Sequence, residues 1–259
     1  MPQVITKIIS KAVLQPRRTA RILLDREGWS GWYWFLLHRS GRQPLDPQQS
    51  LVSRRYRSYD SYLTHQRSKL ALLDLTSYEQ VFRPALAERL AGEEWAGRSV
   101  LCLAARIGTE VKAFHDLGAF AVGIDLNPGP ENRWVLPGDF HQLVFPAESV
   151  DAIYCNSFDH ALDLKQTLSE IRRVLKRDGM LLVDAQQGAS EVRFDEWAAT
   201  SWSSINDLVD EIEGCGFALT GRQGIRIPWI GEYLSFRVVW GEGEECDDSE
   251  QQRAPYRQR

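Results

Sequence analysis

Residues 100–110 (VLCLAARIGTE) run from an apolar strand pattern through a turn of small residues into a helix that starts near Gly108. Such a turn, at Ala104, Ala105 and Arg106, lets a ligand approach backbone N–H groups at a helix N-terminus. About 20 residues on, Gly123-Ile124-Asp125-Leu126 ends a second strand, where a carboxylate can accept both hydroxyls of an adenosine ribose. Gly138-Asp139-Phe140 follows a short third strand; an acid there can accept from an adenine amino group while the next backbone N–H meets a ring nitrogen. A fourth strand ends in Asn156-Ser157, followed by a polar loop with Asp159, His160 and Asp163. Each of these residues has an ordinary alternative role, Asp125 as a cap and Asp139 and Asn156 as turn formers. Their placement behind three strand ends favours ligand contact.

These residues need a scaffold that delivers several strand ends to one edge. From Ser99, short apolar runs alternate with helical patterns, which predicts a parallel sheet covered on both faces. Strands are expected over residues 99–104, 120–125, 133–136, 150–155, 180–185, 217–221 and 233–240, with helices over 108–117, 162–176 and 204–215. Two further helices are expected over 58–75 and 78–90. The fold class is α/β, a doubly wound, seven-stranded, mostly parallel sheet. It divides into a basic, aromatic helical extension (1–75), the main domain (76–240) and a tail without apolar periodicity (241–259).

The composition of the 259 residues, 43% hydrophobic and 25% charged, excludes collagen-like, coiled-coil and disordered classes, and no apolar run is long enough to span a membrane. Cys102, Cys155, Cys215 and Cys246 form no CxxC or Cys/His cluster, so neither a zinc site nor a disulfide framework is expected, and a reducing cytoplasmic compartment is the default. Charge is uneven: residues 1–74 carry 13 Lys/Arg against 5 Asp/Glu, and the remainder 18 against 30.

The order of these elements, closing with residues 170–179 (EIRRVLKRDG), resembles the class I S-adenosylmethionine-dependent methyltransferases across about residues 78–240. The resemblance implies a Rossmann-like sheet whose last strand is antiparallel, and S-adenosylmethionine as cofactor. By it, Asp125 holds the ribose hydroxyls, Leu126 packs on adenine, Asp139 and Phe140 meet the adenine edge, and Asn156 and Ser157 border the methionine portion and the acceptor. The sequence departs from the family in the first motif: Cys102 stands at the usual acid, Ala104 and Arg106 at the first two glycines, and only Gly108 is kept. Either another carboxylate substitutes for the missing acid or affinity is weak. Arg106 has two open readings, a partner for the ligand's carboxylate or for Glu110 one turn on.

Methyl transfer to a hydroxyl would use a base, and His160, oriented by Asp159 or Asp163, is nearest the expected methyl position, with His65 a second candidate. The loop 186–203, with Arg193, Glu196, Trp197 and Trp202, is placed to shape the pocket of a small-molecule, saccharide or lipid-linked acceptor. Two alternatives stand beside this reading. One is a nicotinamide-dependent oxidoreductase, weakened by the lack of G-x-G-x-x-G. The other is a non-catalytic scaffold that kept the fold and lost the cofactor. The apolar, basic segments 4–13 and 29–37 suit peripheral contact with an anionic membrane or packing on the main domain. Nucleic acid is disfavoured, because the arginines form no recognisable binding module.

Overall fold

The structure, a computed structural model, describes residues 51–69, 75–129, 131–188 and 197–240. The segments 4–13, 29–37 and 241–259, and Arg193 and Glu196, lie outside the described residues.

The chain enters through a short strand β1 (Leu51–Ser53) and helix α1 (Tyr59–Ser68), which begins at Ser58 through a reciprocal capping box with Ser61. Helix α2 (Leu75–Leu90) follows. Then come β2 (Ser99–Leu103), α3 (Thr109–Asp116), β3 (Phe120–Asp125), β4 (Val135–Pro137), β5 (Val150–Cys155), α4 (Leu164–Val174), β6 (Leu175–Gln186), β7 (Thr200–Trp202), α5 (Ile205–Gly214), β8 (Phe217–Ile225) and β9 (Gly231–Val238).

Seven strands form one sheet in the order β4-β3-β2-β5-β6-β9-β8, parallel from β4 to β6, with β9 antiparallel to both neighbours. Successive strand residues face opposite sides, so each central strand feeds two cores. Val100, Cys102, Ala152, Tyr154 and Leu182 pack under α2 and α3 with Phe82, Leu86 and Phe114. Leu101, Leu103, Ile153, Cys155 and Leu181 pack on the other face against Leu168 and Ile171 of α4 and Leu208 and Ile212 of α5. The helical spacing of Leu164, Leu168 and Ile171 after the capping Asp163 is what turns that side of α4 inward.

The departures from expectation lie at edges. The helix expected over 58–75 ends at Ser68, α2 begins three residues early at Leu75, and the third strand is shifted to Val135–Pro137. β1 and β7 were not legible as strands; they pair antiparallel with Leu51 opposite Trp202, outside the main sheet. Three-residue strands have too few positions for an alternating pattern, and they form only because the fold brings them together. Among the described residues, no helix is long and apolar enough to cross a membrane.

The order of strands creates the site. The chain moves outward from β2 to β3 and β4, then returns across the sheet to β5, so the carboxyl ends of β2 and β5 diverge into a crevice.

Candidate active site

A cavity of about 430 Å³ lies at the carboxyl ends of β2, β5 and β6. Its walls include Ala104, Ala105 and Arg106 after β2, Asn156, Ser157, Asp159 and His160 after β5, and Asp184 and Gln186 of β6. Trp197, Trp202 and Trp229 complete the far side. The Gln186–Ser203 connection therefore delivers both of its tryptophans to the cavity, as its position after a strand end suggested.

The altered turn keeps a glycine-like path without the glycines. Ala104 and Arg106 hold left-handed angles, φ 52° and 48°, ahead of Gly108 at 79°. Left-handed angles cost a non-glycine residue roughly 1–2 kcal/mol. Hydrogen bonds and close packing hold the turn in that shape: Ala105 N donates to Ile124 O, Arg106 N donates to the Asp125 carboxylate at 3.0 Å, and a side chain at Gly108 would collide with Trp134. Asp125 also accepts from Asn127 N at 2.7 Å, so its carboxylate is oriented at the strand end beside Leu126 and Phe140.

The strand end at Asp139 is covered by α1. Asp139 accepts from His141 Nδ1 at 2.7 Å and from the Tyr59 hydroxyl. Burial pushes the Asp139 carboxyl up, but the hydrogen bonds from His141 and Tyr59 outweigh it and hold the group below its ordinary value. Between α1 and the Asp125-Leu126 strand end only a cleft of about 40 Å³ remains, room for a few waters rather than a purine.

His160 is buried and reaches the cavity. Its Nδ1 lies 3.2 Å from Trp197 O, which can only accept, so Nδ1 carries the proton and Nε2 the lone pair. Lys69 Nζ stands 2.5 Å from Nε2, and Asp159 is 3.7 Å away. Asp163 does not orient the ring: it caps α4 through Gln166 N, the use to which a helix-start acid is usually put. His65 is not part of the cavity wall; it stacks on Trp197 and meets the Tyr56 hydroxyl.

Two buried carboxylates that the sequence had not marked as site residues complete the cavity. Asp184 is paired with Arg89 and accepts from the Tyr154 hydroxyl at 2.8 Å; burial raises its pKa above the usual range despite both. Glu110 accepts from Asn156 Nδ2 at 2.8 Å and Tyr78 Oη at 3.3 Å, and burial pushes it up to about 7. Cys102, at the position of the missing strand acid, is fully buried, and burial pushes its thiol well above the ordinary value. The residues suit S-adenosylmethionine: a ribose-facing acid in place, a turn with a left-handed path, an acid and an aromatic at the adenine edge, and a buried carboxylate beside Asn156. Against that fit, α1 leaves only the narrow cleft beside Asp125, Leu126 and Phe140.

Residues 101–183, from β2 into β6, match the family described as a methyltransferase domain. No curated protein matches the chain. In fold, it is similar to the Burkholderia thailandensis 1,6-didemethyltoxoflavin-N1-methyltransferase, solved with 1,6-didemethyltoxoflavin and S-adenosylhomocysteine bound. That likeness has a TM-score of 0.56 and 17% identity, over 76% of this chain and 98% of the other. A SAM-dependent methyltransferase from Aquifex aeolicus aligns with a TM-score of 0.50 and 16% identity, over 65% of this chain and 95% of that one.

Proposed function

We propose that this protein is a class I S-adenosylmethionine-dependent methyltransferase that passes the methyl group to a hydroxyl of a small-molecule acceptor seated in the 430 Å³ cavity, with His160 as the base. The observation that carries the reading is the continuity of that cavity, from the turn at Ala104–Arg106 past His160 to Trp197, Trp202 and Trp229. S-adenosylmethionine supplies an activated methyl on a sulfonium sulfur, and its in-line displacement depends on alignment and on exclusion of water.

The chain's own residues divide the remaining work. Asp125 takes the ribose hydroxyls, Leu126 and Phe140 flank the adenine, Asp139 meets its edge, and Asn156 and Ser157 border the methionine portion. Backbone N–H groups of the turn through Ala104, Ala105 and Arg106 to Gly108 approach the ligand as the strained path allows. The Nε2 lone pair of His160 accepts the acceptor's proton once the hydroxyl takes the place of Lys69, and Trp197 O keeps the ring oriented. Asp159 lies 3.7 Å from the same Nε2, where its carboxylate favours the imidazolium formed during transfer. Three indoles suit the flat face of an aromatic ring or a sugar. The 1,6-didemethyltoxoflavin bound to the Burkholderia enzyme of like fold supports a small-molecule class of acceptor.

Titration calorimetry with S-adenosylhomocysteine and with NAD tests the cofactor assignment. S-adenosylhomocysteine should bind, and Asp125→Ala should weaken it by about 10–100-fold, the scale of lost hydrogen bonds to a charged group. A phenol, a hexose and an amine then serve as acceptor probes, read by release of S-adenosylhomocysteine. With the phenol or hexose, His160→Gln should cut turnover by about 10²–10⁴-fold while leaving S-adenosylhomocysteine affinity unchanged. Binding of NAD alone would overturn the assignment, and turnover indifferent to His160→Gln would remove the base.

A further inference from the structure

The turn after β2 lacks its usual acid, yet the cavity beside it contains a carboxylate with nothing cationic bound to it. Glu110 is 3% exposed, and its Oε1 takes two neutral donors, the Tyr78 hydroxyl and the Asn156 amide. Its Oε2 has no hydrogen-bond partner among the described residues. A buried carboxylate with an idle oxygen is costly to maintain and is completed by a donor brought from outside, most effectively a charged one. Asp184, the other buried acid in the wall, also has an oxygen, Oδ1, without a partner among the described residues, but differs in having Arg89 against its Oδ2 already. Glu110 shares the cavity wall with Arg106, Asn156 and Ser157: Asn156 Nδ2 donates to Glu110 Oε1, and Ser157 donates to Asn156 Oδ1 at 2.9 Å.

We propose that Glu110 is the carboxylate that receives the α-ammonium group of the methionyl portion of S-adenosylmethionine, taking over the task of the strand acid replaced by Cys102. The proposal rests on the cofactor reading above. The first turn of α3 brings Glu110 against Tyr78 of α2 and Asn156 after β5, in the wall of the cavity, whereas Cys102 is not part of that wall. Arg106, close enough to stabilise the charged form of Glu110, lines the same cavity and is placed for the other end of the amino acid, the carboxylate.

A ligand ammonium would bind the ionised form of Glu110, so binding should release a proton. With a free carboxyl near 7, about half a proton leaves at pH 7, more at pH 6 and little at pH 8, and affinity rises with pH across that window. The other titratable groups around Glu110 are Tyr78 on α2, Arg106 on the turn, Cys102 on β2, Tyr154 and Cys155 on β5 and Asp184 on β6. Burial moves Tyr78, Cys102, Tyr154 and Cys155 upward, away from neutral pH.

The experiment is calorimetry in buffers of different ionisation enthalpy, with S-adenosylhomocysteine and with 5′-methylthioadenosine, which keeps the nucleoside and lacks the amino-acid end. Wild-type protein should release protons with the first ligand and not with the second. Glu110→Gln should abolish the release and weaken S-adenosylhomocysteine about tenfold or more, with 5′-methylthioadenosine unchanged, whereas Asp125→Ala should weaken both. Release retained in Glu110→Gln, or equal loss of both ligands, overturns the assignment of Glu110 and leaves the cofactor standing. Failure of the wild type to bind either ligand overturns the cofactor reading and this proposal with it. The wild-type proton count needs no variant, so the proposal stays exposed even where Glu110→Gln fails to fold.

Discussion

Ala104 shows how a residue can keep a conformation that its side chain opposes. Its φ of 52° is held by the short path between β2 and α3 and by the bonds that tie the turn to Ile124 and Asp125. The left-handed penalty is roughly 1–2 kcal/mol, of which the greater freedom of unfolded glycine would cancel about 0.5–1. Ala104→Gly should therefore raise the thermal midpoint, by roughly 1–4 °C for a chain of this size. A melt that falls instead would show that packing of the Ala104 methyl outweighs the strain. The same scale explains what was legible in the turn. An alanine and an arginine at glycine positions are visible in the sequence, but that the backbone keeps its glycine-like angles is not, because closure of the turn, and not the residue, sets φ. Glu110 follows the same logic, since its partners Tyr78 and Asn156 lie 32 and 46 residues away.

At the scale of an element, α1 is readable from Ser58 and the apolar spacing behind it, but its seat is not. The helix and its C-cap reach the site at four places: Tyr59 on Asp139, Tyr62 Oη on His160 O at 3.0 Å, Gln66 Nε2 on Trp197 O at 2.8 Å, and Lys69 on His160 Nε2. It thus occupies both the acid expected at the adenine edge and the proposed base. A purine amino group at Asp139 must displace the Tyr59 hydroxyl, so Tyr59→Phe should tighten S-adenosylhomocysteine several-fold and raise hydrogen exchange in α1. Weaker binding in Tyr59→Phe would mean that Tyr59 holds the ligand and does not compete with it. His141, which sequence reasoning passed over, belongs to the same element-scale arrangement: its Nε2 accepts from Leu162 N at 3.1 Å while Nδ1 donates to Asp139.

Across the whole molecule, one half-buried acid joins three central strands of the sheet at the end opposite the site. Asp151 of β5 accepts from Ser99 N and Oγ of β2 at 2.7 and 2.6 Å and from Lys176 of β6 at 2.6 Å. Burial raises its pKa, and the bonds from Lys176 and Ser99 together outweigh that and lower it to about 2. Its folded value lies below the unfolded 3.8, so the stabilisation is present above about pH 4 and is lost as pH falls through 2. Asp151→Asn should lower the urea midpoint at pH 7 and flatten its decline between about pH 5 and 2.5; a decline as steep as the wild type's would place the acid sensitivity elsewhere. The sequence alone determined the α/β class, the central strands, the antiparallel close of the sheet by resemblance, and the acids behind three strand ends, because periodicity and strand-end spacing are local properties of the chain. Only the tertiary structure decided that β1 pairs with β7, that α1 covers Asp139 and His160, and that Glu110 stands in the cavity beside the acid-less turn. Those outcomes depend on contacts between segments tens to more than a hundred residues apart, whose energies no local pattern records.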